Sequence, residues 1–338
     1  MASVECDTPL RIASVGAGRM GRGIALSCAI AGTECLLVDL KPRTPGAFAE
    51  LQSTVANEAL RDLGFLVDMG LLEASQLSTL AGRIRVLDRL AGEQLLGSCS
   101  AVFEGLPETL EAKAVALDWI GKHAAETALV ASTTSTMDVN ELSRLVCHPG
   151  RFLNAHWLNP AHLMPLVEIA VGDATEQGTV ARMRDLLTYL GKVPVTCSAS
   201  PGYIVPRIQA LAMNEAARLV EEGVASAEDV DTAVRCGFGL RFAVLGLLEF
   251  IDWGGNDILY YASGHLSRAV DPERYRVPAI VESNMREGRN GLREGKGFYE
   301  YEGRDVDAYR RERLEHFVKL IGHLGLLPAG LRSERGAR

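Results

Sequence analysis

The chain has 338 residues, room for two domains with separate cores, and its 47% hydrophobic and 23% charged content is that of a globular protein. A net charge of −8 argues against nucleic acid or an anionic membrane surface as a partner, and no run approaches the ~20 apolar residues of a membrane span. Seven cysteines without CxxC spacing, in a chain that opens on acids and an early strand rather than a signal peptide, predict reduced thiols, a cytoplasmic protein and no metal site.

From the N-terminus, 10–15 reads as a strand, 20–31 as a helix and 34–39 as a second strand. A long helical region at 46–76 precedes strands at 83–87 and 101–104, a helix at 109–124 and a strand at 128–131. This alternation predicts an α/β domain with a doubly wound, mostly parallel sheet of Rossmann type. Gly16-Ala17-Gly18-Arg19-Met20-Gly21 lies between the first strand and the first helix. Gly16 permits the tight turn, Gly18 lets a pyrophosphate approach the backbone, and Gly21 allows close helix–sheet packing beside Met20. Asp39 ends the second strand 18 residues after Gly21, where a carboxylate takes ribose hydroxyls and favours NAD over NADP.

Strands at 152–157 and 166–170 flank a loop punctuated by Asn159-Pro160 and Pro165. A hairpin there brings His156 beside Glu168, as a general base beside the carboxylate that orients it; a half-buried histidine near a surface acid is the bland alternative. A helix at 175–190 and a strand at 193–197 close the first domain, and Ser198-Ala-Ser-Pro-Gly202 breaks the pattern. Beyond it only helical periodicity remains, at 204–222, 226–236, 245–267 and 306–325. The expected organisation is a nucleotide-binding domain over 1–199, an all-α C-terminal domain over 200–330 for substrate and dimerisation, and a tail over 331–338. The apolar run 243–251 exceeds what a small domain readily buries, which predicts a homodimer.

Several local motifs resemble the L-3-hydroxyacyl-CoA dehydrogenase family, and the match runs from about 10 to about 301. Phe103-Glu-Gly-Leu-Pro-Glu108-Thr-Leu-Glu-Ala-Lys113 is similar to the family segment that touches the nicotinamide half of NAD. Ala131-Ser-Thr-Thr-Ser135-Thr136 resembles its SNTSS loop, His156-Trp-Leu-Asn159-Pro160 its HFFNP, Pro165-Leu-Val-Glu168 its KLVE, and Gly295-Lys-Gly-Phe-Tyr-Glu-Tyr301 its GEGFY turn. The resemblance implies NAD as cofactor, with Glu108 and Lys113 among its contacts. It implies His156 as the base with Glu168 behind it, and Ser135 and Asn159 on the substrate oxygen. The reaction implied is reversible oxidation of the 3-hydroxyl of a 3-hydroxy acid or its acyl thioester.

Three departures bear on the substrate. The family's PGFIVNR is here Pro201-Gly-Tyr-Ile-Val-Pro206-Arg207, so Pro206 stands where an asparagine helps hold the substrate. Residues 44–80 carry Arg61 as their only base against five acids, a poor face for the phosphates of coenzyme A. Gly239-Leu-Arg241-Phe-Ala-Val-Leu-Gly246 looks more like the L-gulonate and carnitine dehydrogenase branch, and Arg241 is a candidate clamp for a free carboxylate. The partner expected is thus a small hydroxy acid or an acyl-CoA, the departures favouring the acid. A catalytically silent NAD(H)-binding protein is the reading that Pro206 keeps open.

Overall fold

The computed structural model describes residues 10–331. Eight strands form one sheet: β1 (Arg11–Val15), β2 (Glu34–Val38), β3 (Ile84–Leu87), β4 (Ala101–Glu104), β5 (Leu129–Ser132), β6 (Phe152–Trp157), β7 (Leu166–Val171) and β8 (Val193–Ser198). Their order is β3-β2-β1-β4-β5-β6-β7-β8, and every neighbouring pair is parallel except β6–β7, an antiparallel hairpin. The direction of winding changes between β1 and β4. Doubly wound sheets bind their ligands in the crevice at the carboxyl ends of such a strand pair.

The six inner strands are buried on both faces because helices cover both, whereas the edge strands β3 and β8 stay partly exposed. Helices α1 (Arg19–Ile30), α2 (Pro45–Asp68) and α3 (Leu77–Ala81) precede β3, and α4 (Arg89–Leu95) precedes β4. Helices α5 (Leu110–His123), α6 (Val139–Ser143) and α7 (Gln177–Tyr189) complete the layers. One layer packs Ile24 and Cys28 of α1, Val55 of α2 and Leu187 of α7 on Leu37, Phe103 and Ile169. The other packs Leu117 and Ile120 of α5 on Val15, Val38, Val102 and Val130. Along β6, Leu153, Ala155 and Trp157 belong to the first layer. The alternation of a strand therefore puts Phe152, Asn154 and His156 on the opposite face.

The chain divides into two compact units, Met1–Ala212 and Met213–Arg338. Helix α8 (Val205–Glu221) runs across that division. The second unit continues with α9 (Ala227–Ala233), a π-helical turn at Val234–Phe238, α10 (Gly239–Val244), α11 (Leu247–Gly254), α12 (Asn256–Ala269), α13 (Ala279–Arg286) and α14 (Val306–His323). The single helix expected over 245–267 is two, because Gly255 turns the backbone at φ +112° between α11 and α12. The region expected as helix over 46–76 ends at Asp68 and resumes as a short 3-10 turn at Ala74–Gln76. Buried Asp252 accepts the backbone N–H groups of Phe298 and Tyr299 and the Tyr301 hydroxyl, which ties down the turn after Gly295. Cys6 and residues 332–338 of the expected tail lie outside the described residues; the other six cysteines are free thiols.

Candidate active site

The glycine loop sits at the switch point. Gly16 follows β1 at φ +113°, and a Cβ on it would come within 2.7 Å of the Gly105 carbonyl oxygen just beyond β4. A Cβ on Gly21 would lie 1.9 Å from the Gly16 oxygen, so α1 packs against the loop only as glycine. Gly18 faces open space, and no side chain caps the α1 N-terminus, which leaves the first N–H groups of the helix for an anion. Asp39 is buried just past β2 and pairs with Arg43. A glycine cradle, an uncapped helix end and a carboxylate at the second strand together fit a dinucleotide.

In the β6–β7 hairpin the register pairs His156 directly with Glu168. The imidazole Nδ1 lies 2.8 Å from Glu168 Oε2. The other carboxylate oxygen accepts the backbone N–H groups of Ile204 at 2.9 Å and Val205 at 2.8 Å, at the start of α8. Burial works to raise the Glu168 pKa, but the His156 bond and the two N–H donors outweigh it and hold the carboxyl below its usual value. Glu168 is therefore an anion at neutrality and can only accept. The hydrogen of the shared bond belongs to Nδ1, and in the neutral ring the lone pair then lies on Nε2.

A second polar chain supports the loop after β5. Glu104, fully buried at the end of β4, accepts Lys113 Nζ at 3.0 Å, the Ser132 hydroxyl at 2.6 Å and the Leu106 N–H at 2.7 Å. Lys113 also lies 3.4 Å from Glu108. Glu108 in turn accepts the Ser135 N–H at 2.7 Å, the Ser135 hydroxyl at 3.0 Å and the Thr134 hydroxyl at 3.1 Å. Burial raises the Glu108 pKa, yet the Ser135 N–H, the Lys113 charge and the two hydroxyls bring it below the usual range. Since the Ser135 hydrogen is directed at Glu108, its oxygen presents lone pairs to a ligand.

Ser135, His156, Asn159, Met20, Glu108 and Lys113 line one cavity of about 500 Å³, together with Arg19, Pro206 and Gln209. Arg241 belongs to the helical unit, where its guanidinium stacks over the Phe250 ring at 5.7 Å and has no carboxylate partner among the described residues. Beside α2 a second cavity of about 570 Å³ shares Arg19 and Asn159 with the first and is also lined by Arg22, Glu58, Arg61 and Asp62. Arg22 holds Glu58 at 2.7 Å and Arg61 holds Asp62 at 2.9 Å. The wall expected to be acidic is thus neutralised, partly by Arg22 from outside 44–80. Among the described residues no cluster of His, Cys, Asp and Glu is arranged to hold a metal.

Sequence reasoning missed three supports of the site. Tyr203, the only non-glycine with positive φ among the described residues, is buried with its ring 5.4 Å from that of His156. Its hydroxyl accepts from Asn154 Nδ2 at 3.0 Å and donates to the Thr134 carbonyl at 3.0 Å, bracing the loop that carries Ser135. Buried Lys192 donates to the carbonyls of Ala161 at 2.6 Å and Met164 at 3.0 Å, and so pins the hairpin loop bearing Asn159. Burial lowers its pKa. Gln209 had no motif to mark it; its position three residues after Pro206 on a helix was the available signal.

Residues 11–200 match the family model described as the NAD binding domain of 3-hydroxyacyl-CoA dehydrogenase, and residues 202–301 match that of its C-terminal domain. The chain is 30% identical to the 5-formyl-3-hydroxy-2-methylpyridine 4-carboxylate 5-dehydrogenase of Mesorhizobium japonicum, over 91% of this chain and 96% of that one. It is 32% identical to the mitochondrial hydroxyacyl-coenzyme A dehydrogenase of Sus scrofa, over 85% and 90%. The crystal structure of a 3-hydroxyacyl-CoA dehydrogenase from Archaeoglobus fulgidus superposes with a TM-score of 0.75 at 31% identity, covering 94% of this chain and all of that one.

Proposed function

The chain belongs to the 3-hydroxyacyl-CoA dehydrogenase family and is an NAD-dependent oxidoreductase of CH–OH groups, and from that premise we propose that its reaction runs on the His156–Glu168 dyad with a small hydroxy acid as substrate. The 2.8 Å bond from His156 Nδ1 to an ionised, doubly anchored Glu168 carries the reading. NAD, when bound, supplies the acceptor for the hydride that leaves the carbinol carbon. His156 Nε2 takes the hydroxyl proton as that hydride departs, and the carbinol becomes a carbonyl. Glu168 fixes the tautomer and stabilises the imidazolium, the part a buried carboxylate plays beside a triad histidine. The single hydrogen of the substrate hydroxyl goes to His156 Nε2, and Ser135 and Asn159, which line the cavity beside it, position the oxygen. Gly16, Gly18, Met20 and Gly21 hold the pyrophosphate end, Asp39 the ribose, and Glu108 with Lys113 the nicotinamide half.

The Mesorhizobium relative is named for a pyridine carboxylate, which supports a free acid. Unpartnered Arg241 is the residue proposed for that acid's carboxylate. The arginines Arg19, Arg22 and Arg61 beside α2 favour the second reading, an acyl-CoA thioester. The protein is proposed to act in the cytoplasm as a homodimer; among the described residues no helix is long and apolar enough to cross a membrane. NADH formation at mildly alkaline pH with 3-hydroxyacyl-CoAs in one panel, and 3-hydroxybutyrate, gulonate and carnitine in another, tests the substrate. Faster turnover of free acids is expected. Turnover confined to thioesters contradicts the acid reading while leaving the dyad in place.

A further inference from the structure

We propose that Gln209, in addition to the Arg241 proposed above, binds a C1 oxygen of the substrate and so sets specificity from the helix face on which Pro206 has no donor to offer. The inference rests on the dyad reading above, because it takes the reacting carbon to lie at His156. Glu168 accepts the N–H groups of Ile204 and Val205, which fixes the first turn of α8 at the dyad. Pro206 lines the cavity there with neither a side-chain nor a backbone donor. Gln209 lines the same cavity three residues on, on the same helix face and ~4.5 Å farther along the axis. In a 3-hydroxy acid, C1 lies two bonds from the reacting C3, about 2.5 Å away. A side chain one turn beyond the dyad is set off from the carbinol, and the acceptor that a simple 3-hydroxy acid offers to an amide donor besides its carbinol oxygen is the C1 carboxylate.

The rest of the wall is largely committed. Lys113 is held by Glu104 and Glu108, Ser135 donates to Glu108, and His156 Nδ1 donates to Glu168. Arg19 comes from the glycine loop and Asn159 from the hairpin loop, whereas Gln209 is the free donor on α8. Its side chain is exposed and its amide makes no hydrogen bond among the described residues. A neutral amide N–H serves a carboxylate and a thioester carbonyl alike, with the charged oxygen the stronger acceptor.

Acetoacetate and acetoacetyl-CoA, titrated against the enzyme–NADH complex and used as substrates, test the proposal. Gln209→Leu is expected to raise Kd and KM for acetoacetate about tenfold and for acetoacetyl-CoA a few-fold, with kcat and the NADH Kd within about twofold of wild type. Gln209→Glu should weaken acetoacetate further than Gln209→Leu does, by like-charge repulsion, and the thioester less. Exposure of the side chain keeps folding out of the comparison. Unchanged Kd and KM in Gln209→Leu overturn the inference alone, as does a loss falling on kcat or NADH binding. If neither ligand binds the wild-type complex, the inference falls together with the hydroxy-acid reading. Turnover that survives His156→Gln removes the dyad reading instead.

Discussion

In the sheet unit, two apolar layers enclose the strands, and the buried polar groups beside the site are joined in pairs: His156 with Glu168, Glu104 with Lys113, and Asn154 Nδ2 with Tyr203. In the helical unit the buried apolar residues among those described come down to Val230, Leu245, Val281, Leu292 and Tyr301, while Met213, Ile258, Tyr261, Leu314 and Val318 are more than half exposed. The contrast teaches that the two halves solve different problems. The sheet unit fixes the His156–Glu168 pair in place with its own residues. The helical unit presents apolar side chains that its own helices leave uncovered, which is the surface a second copy would cover.

Glu168 is where the closed character of the sheet unit is most exposed to test. Glu168→Ala removes the orienting carboxylate and strands the N–H groups of Ile204 and Val205, so kcat should fall by about 10²–10⁴ and stability by about 3 kcal/mol or more. Its pH dependence follows from the sign of the shift. The native carboxyl sits below its unfolded value, so the stabilisation is complete above the ordinary value of 4.5 and is lost as pH falls through the lower native one. Acid unfolding of Glu168→Gln should be correspondingly flatter between those values, and a variant as pH-sensitive as wild type would contradict the assignment.

The open character of the helical unit makes the next prediction. Light scattering at micromolar concentration should return the mass of two 36.4 kDa chains. Ile258→Asp, which places a charge on an exposed apolar site, should shift it toward one chain. A wild-type monomer would mean that no second copy covers those side chains. The smallest effect belongs to the brace. Tyr203→Phe keeps the ring against His156 and deletes the hydroxyl between Asn154 and Thr134, which should cost about 1–3 kcal/mol of stability and less than tenfold in kcat. A Tm unchanged from wild type would show that the bond to Thr134 braces nothing.

The same contrast explains what was legible in the sequence. The inner strands were readable because apolar runs buried on both faces, such as that around Leu36 and Leu37, leave an unbroken signature, and the edge strands β3 and β8 because short β-branched runs sit between breaks in the pattern. The hairpin register was readable because Pro160 and Pro165 bound its loop, and the glycine loop because its spacing serves one backbone geometry. The helical unit was harder. Nothing in the periodicity of 245–267 distinguishes a helix from two helices meeting at Gly255, since glycine is tolerated within helices and becomes a hinge only through its φ. Within the site, residues bearing motif chemistry were found, while those acting through geometry were not. Tyr203 matters because β6 and α8 bring it against His156 and the loop at Thr134, a contact between segments 47 to 69 positions apart. The acidity read from 44–80 is offset at Glu58 by a residue the segment does not contain, because Arg22 reaches it from another helix.

The central claim is that His156 accepts the proton while the cofactor is bound elsewhere, by the glycine loop and Asp39. Rates of NADH formation with the best substrate of the two panels, measured on wild type and His156→Gln beside the NADH Kd of each by fluorescence, test it most directly. The account predicts a rate about 10²–10⁴ lower in the variant with NADH binding within about twofold of wild type. A variant that binds NADH normally and still turns over at a near wild-type rate would contradict it.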